Sequence, residues 1–194
     1  MTEVTEPALI SVVGFSGAGK TTLLEKLIHE LASRGYRVGT IKHDVHGFEM
    51  DKPGKDSWRH KHAGAATTII SAPGQIGMVM DVDHDHHPDE LKRFFSNVDI
   101  LLTEGYKQGD WPKVEVFRHE IRDNPLCKND DHLIALVSDR WVDLGVPHFS
   151  LNDVKGLADY LIRHFSITPG VRHQGNGTDG GPDRPSENGV ANFT

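Results

Sequence analysis

A single cysteine, Cys127, among 194 residues excludes an internal disulfide framework and fits a reducing compartment. With no activating partner in its local sequence, it reads as a passive loop thiol rather than a nucleophile. Basic residues are the minority, 21 Lys and Arg against 28 Asp and Glu, so the net charge of −7 carries no general nucleic-acid footprint. No apolar run is long enough to span a membrane, and the first residues, MTEVTEPA, are acidic where a secretory leader would be basic. A cytoplasmic protein without membrane or nucleic-acid partners is expected. The hydrophobic share of 37% nevertheless suffices for one core, and length allows one α/β domain plus a short extension.

The chain opens on ALISVVG (residues 8–14), β-branched and apolar on both alternating faces, as a strand covered on both sides would be. From Lys20 the spacing turns helical. Leu23, Leu24, Leu27, Ile28 and Leu31 form one stripe, and Gly35 is placed to end the helix in a left-handed conformation. A strand, YRVGTIKH, follows, which completes a parallel crossover unit. Next come a polar loop punctuated by Gly47, Pro53 and Gly54, a short helix in WRHKHAGAA, and strands TTIISA and GQIGMVMDV paired across Pro73-Gly74. HPDELKRFFSNV predicts a helix with Pro88 in its first turn. DILLTEG, WPKVEVFR, HLIALVSD and PHFSL predict strands, and NDVKGLADYLIRHF a final helix capped by Asn152 or Asp153. Trp111 reads as a packed corner. The expected organisation is an N-terminal segment over 1–8, one domain over 9–166, and a disordered Gly- and Pro-rich tail over 167–194. The fold class is α/β, a P-loop NTPase-type three-layer fold with a mostly parallel central sheet.

GFSGAGKT, Gly14 to Thr21, satisfies G-x-x-x-x-G-K-[ST] between a buried strand and an amphipathic helix. Gly14, Gly17 and Gly19 open backbone angles that let successive N–H groups curl around a polyphosphate, and the helix N-terminus adds partial positive charge. Lys20 would reach the β and γ phosphates, and the Thr21 hydroxyl would ligate Mg²⁺. Such a metal needs a carboxylate to orient its waters. Glu104 after DILLT and Asp44 after TIKH stand at strand carboxyl ends, where ligands of parallel sheets collect; Asp99 stands at the wrong end. Asp139 after LIALVS is the candidate reader of guanine, whose two adjacent donors a carboxylate can accept together, although N-K-x-D is absent and a solvated loop aspartate fits equally. Lys52 and Lys55 flank a Pro-Gly turn at a helix start and suit a second anionic group, such as a pterin-linked phosphate.

GFSGAGKTTLLEKLI, GTIKHDVHGFEMDKPGKDSWRHKHAGA, DILLTEGYK and LNDVKGLADYL together resemble the molybdopterin-guanine dinucleotide biosynthesis protein B family, across Leu9 to Phe165. The resemblance implies a P-loop domain that binds GTP with Mg²⁺, hydrolyses it weakly, forms a homodimer, and assists the molybdenum cofactor guanylyltransferase that acts on molybdopterin. It assigns phosphate binding to Gly17, Ala18, Gly19, Lys20, Thr21 and Thr22, with Ser16 and Gly14 completing the loop, and draws attention to His43, Asp51, Lys52, Lys55 and Asp56. In this scheme Lys20 and Glu104 carry the catalysis. Hydrolysis is expected to be slow, because no arginine finger or water-orienting glutamine can be assigned. Two other readings stay open. One is a small-molecule kinase with Asp44 or Asp51 as base, and the other a nickel-delivering GTPase using the histidines of DVDHDHHPDE. His84, His86 and His87 alternate with acids there, but lacking a cysteine or fixed tetrahedral spacing the stretch reads as an exposed acidic loop.

Overall fold

The computed structural model describes residues 6–170. The expected tail therefore lies mostly outside the described residues. Strand β1, Ala8–Val13, is buried from Leu9 onward and occupies the middle of a six-stranded sheet. Around it, β2 (Val38–Lys42), β5 (Ile100–Glu104), β6 (Lys113–Phe117), β7 (Leu133–Ser138) and β8 (His148–Ser150) give the order β2-β5-β1-β6-β7-β8. Every neighbouring pair is parallel. Parallel pairing forces all connections to cross over, so the strand carboxyl ends gather at one edge.

One sheet face packs on α1 (Lys20–Ser33) and α4 (Val154–His164), burying Leu23, Leu27 and Leu31 of the first and Leu157 and Leu161 of the second against Ile10, Val12, Ile100, Leu102 and Val116. Gly35 ends α1 at φ 91°, as its spacing predicts. Asp153 is the α4 cap, its carboxylate accepting from Gly156 N at 3.0 Å. The amino-terminal end of α4 carries this cap, and its body is tied to α1 by an Arg34–Asp159 ion pair, Arg34 also pairing with Glu30 at 2.7 Å.

The other face is covered more thinly. The predicted helix over 87–98 is instead a short α3, Pro88–Leu91, continued by a 3-10 turn through Phe94. Phe95 then leaves helical angles, and its ring comes to lie where a side chain on Gly39 would sit, 2.6 Å from that ideal Cβ. Tertiary packing over Gly39 outweighs helical propensity here. Between β2 and α3 runs a lobe of α2 (Asp56–His62) and an antiparallel hairpin, β3 (Thr67–Ala72) with β4 (Gln75–Met80). Lys55 is the α2 N-cap and offers no side-chain cap. Ile69, Ile70, Ile76 and Met78 of the hairpin are exposed. Among the described residues no helix is long and apolar enough to cross a membrane.

Candidate nucleotide site

The turn from β1 into α1 is shaped by glycines. Gly14 has φ 144°, and a Cβ there would stand 2.4 Å from the Val116 carbonyl oxygen of β6. Gly17 has φ 80°, and Gly19, at φ 99°, is the α1 N-cap without a side-chain cap. No acid occupies the first turn of α1. Its leading N–H groups are therefore free of a competing carboxylate, the condition for holding an anion. Lys20 Nζ reaches back to donate to Phe15 O at 3.1 Å, which keeps the ammonium over the loop. Ser16, Thr21 and Thr22 are exposed at its mouth, and Ala18 is buried beneath it.

Because Val12 and Glu104 are partners in the β1–β5 register, the end of β5 lies beside the loop. The Thr21 hydroxyl donates to Glu104, 2.9 Å from Oε1 and 3.1 Å from Oε2. A hydroxyl and a carboxylate converging in this way are hard oxygen donors that suit Mg²⁺. Asp44 does not join them. Its carboxylate accepts from His46 N at 3.0 Å in a local turn. His43 stacks on Tyr106, ring centroids 4.4 Å apart, and its Nε2 lies 2.9 Å from Asp85.

Lys52 and Lys55 are exposed on the turn before α2, Lys52 N bonded to Asp51 and Lys55 N to Lys52 O. Among the described residues their hydrogen bonds stay local. Beside them a cleft of about 330 Å³ is lined by Phe48, Met50, Trp58, Lys61, Thr68 and Ile70. Among the described residues, Trp58 Nε1 and Thr68 Oγ1 are buried without a hydrogen-bond partner. Asp139 lies just past β7 and accepts from His119 N at 3.2 Å. His119 and Arg140 line a second cleft of about 340 Å³ with Asn124, Lys128 and Trp141, large enough for a purine.

Arg118 is a site residue that the sequence does not single out. It follows β6, which pairs with β1 on the side opposite β5, and its Nε donates to Ala18 O at 3.1 Å. The guanidinium thus lies along the phosphate loop, 3.8 Å from an ideal Cβ on Gly19. Only the position of Arg at a strand carboxyl end signals this in the sequence; the alignment of β6 on β1 supplies the rest. The loop after Arg118 is anchored from below. Glu115, fully buried, accepts from Leu126 N at 2.6 Å and Cys127 N at 2.8 Å, while Lys113 bonds Asp130 at 2.5 Å. Burial pushes the Glu115 carboxyl upward, and the two N–H groups pull against that.

Burial, with the Glu115 and Asp130 carboxylates nearby, pushes the Cys127 thiol up to about 12. The folded protein is expected to resist iodoacetamide at neutral pH and to label fully once unfolded in urea. Labelling of the folded chain at a free-thiol rate would contradict this placement. Trp111 is the packed corner its setting predicts: its Nε1 donates to Asp89 at 2.6 Å and its ring lies edge-on to Tyr106.

Among protein families, the model of molybdopterin guanine dinucleotide synthesis protein B matches residues 9–139. The molybdopterin-guanine dinucleotide biosynthesis adapter protein of Escherichia coli K12 is 38% identical over 159 residues, 79% of this chain and 91% of its own. The adapter protein of the same name from Haemophilus influenzae is 35% identical over 162 residues, 81% and 90% of the two chains. The crystal structure of Bacillus subtilis MobB superposes with a TM-score of 0.66 at 28% identity, covering 80% of this chain and 96% of that one. These relatives and the parallel sheet establish the P-loop NTPase-type α/β fold. The chain belongs to the molybdopterin guanine dinucleotide synthesis protein B family.

Proposed function

We propose that the chain is an adapter in molybdopterin-guanine dinucleotide biosynthesis that binds GTP and Mg²⁺ at the Gly14–Thr22 loop and hydrolyses GTP slowly. The observation that carries this reading is the Thr21–Glu104 pair at 2.9 Å beside a glycine loop whose helix start carries no acid. A magnesium ion bound there would supply positive charge against the phosphates, Thr21 ligating it and Glu104 orienting its water shell. Lys20 neutralises the β and γ phosphates, and Arg118, bonded to the Ala18 carbonyl, adds a second cation at the loop's flank for phosphate binding rather than as a finger on the transferring group, which keeps hydrolysis slow. That bond holds the guanidinium in place before any ligand arrives.

The partner would be the molybdenum cofactor guanylyltransferase. Molybdopterin would be received near Lys52 and Lys55, where the unpaired Trp58 and Thr68 donors suit a heterocycle rich in acceptors. The exposed apolar hairpin favours a homodimer, and the setting would be the cytoplasm. The kinase reading has less support, because Asp44 and Asp51 are both spent on neighbouring backbone N–H groups.

A competition series of GTP, ATP and molybdopterin against a fluorescent nucleotide tests the whole. GTP should displace the probe at lower concentration than ATP, and only with magnesium present should displacement reach full strength. In Asp139→Asn the preference for GTP over ATP should fall by about tenfold or more, the worth of one hydrogen bond to a charged acceptor. An unaltered ratio would remove Asp139 from the base site.

A further inference from the structure

We propose that His84, His86 and Glu90 form a binding site for one divalent transition ion of the zinc class, separate from the nucleotide site. One ligand atom from each of the three lies within 4.8 Å of the others. The surrounding hydrogen bonds already set these side chains for coordination. His84 Nδ1 donates to Asp83 at 2.6 Å, and His86 Nδ1 donates to the His84 carbonyl at 3.1 Å. Each bond consumes one ring nitrogen as a donor and leaves Nε2 as the ligand atom. The Asp83–His84 contact is the carboxylate–histidine pairing that commonly orients a metal-bound imidazole.

Glu90 is fixed as well. Its Oε2 accepts from His87 N at 2.8 Å, which turns Oε1 toward His84 Nε2, 3.1 Å away. Nitrogen and oxygen ligands around a zinc ion stand about 3 Å apart, so this pair is already at coordination spacing. The proton now between them is what an ion displaces, and it leaves to solvent. The His84 and His86 rings are stacked, centroids 4.0 Å apart and planes 10° from parallel, so ion uptake requires one ring to swing out of the stack until both Nε2 lone pairs converge with Glu90 on one point.

The loop that bears these ligands is not free to drift. Tyr106 Oη donates to His86 O at 3.0 Å, and Asp85 pairs with His43. Two imidazoles with one carboxylate favour zinc, nickel or copper over the oxygen-seeking magnesium and calcium. Three protein ligands leave a fourth position for water or a partner's side chain.

Calorimetric titration of the full chain with Zn²⁺, in a buffer that does not chelate, tests the proposal. One equivalent should bind in the wild type and in Thr21→Ala, and excess Mg²⁺ should not displace it. His84→Ala and His86→Ala should each weaken Zn²⁺ by about tenfold or more, and Asp83→Asn by about tenfold. His60→Ala, which changes an exposed histidine of α2, should have no effect. Cobalt loading adds a spectroscopic readout, since its visible bands should vanish in the His84→Ala, His86→Ala double variant. No uptake by the wild type, undiminished uptake by the double variant, or loss of uptake in Thr21→Ala would each overturn it.

Discussion

Lys20→Ala is expected to lower GTP affinity by about a hundredfold or more while leaving the fold standing. The ammonium is the only lysine of the glycine loop, and charge-assisted bonds to phosphate each contribute about 1.5–3 kcal/mol. Removing it also removes the cation that opposes repulsion among the phosphates. Among the described residues its side chain makes one hydrogen bond, to Phe15 O at 3.1 Å, and it is only half-buried, so stability should change by less than about 1 kcal/mol. Equilibrium dialysis with labelled GTP measures the affinity, and thermal unfolding measures the fold. Unchanged binding would refute the placement of the triphosphate.

Gly14→Ala should be the most damaging single change in the loop. The added methyl would meet the Val116 carbonyl oxygen at 2.4 Å, a backbone atom in the middle of the sheet that has no rotamer in which to retreat. The position also demands φ 144°, which an alanine adopts only under strain. Together these predict a loss of about 2–5 kcal/mol of stability and a displaced loop that no longer binds nucleotide. Gly47→Ala is the matched control. It too has positive φ, at 82°, but nothing lies within 4 Å of its Cβ, so only backbone strain of about 1 kcal/mol is expected. Urea midpoints of the two variants distinguish steric conflict from strain. Equal midpoints would mean that β1 and β6 are not held as closely as described.

The β1–loop–α1 unit is legible because its signals are local: an apolar run, three glycines, and a leucine stripe all within one crossover. Glu104 is legible for a related reason. Strand carboxyl ends share an edge in any parallel sheet, so an acid ending a buried strand is brought to the loop by topology alone. Arg118 obeys the same geometry, yet its role depends on β6 lying next to β1, and strand order is not encoded in spacing. WPKVEVFR reads as a strand, but its pattern does not show how its charges are accommodated: Lys113 is 2% exposed and Glu115 0%. Their partners, Asp130 and the Leu126 and Cys127 N–H groups, arrive from a loop more than ten residues away. The early end of α3 is not legible because the Phe95 ring packs on Gly39, a contact 56 positions distant that no helical periodicity records. DVDHDHHPDE shows histidines alternating with acids, but which acid orients which ring is not legible, because tautomer and carboxylate orientation exist only once the chain is folded.

The Arg34–Asp159 and Arg34–Glu30 pairs close the far end of α1, while its near end emerges from the glycine turn. With its leucines sunk in the sheet and its two ends joined to the glycine turn and to α4, α1 is placed as a strut between the loop and the far edge of the core. On the proposed reading, a signal of nucleotide state would travel through the stretches that follow β2 and β6, which carry Glu104's neighbour His43 and Arg118.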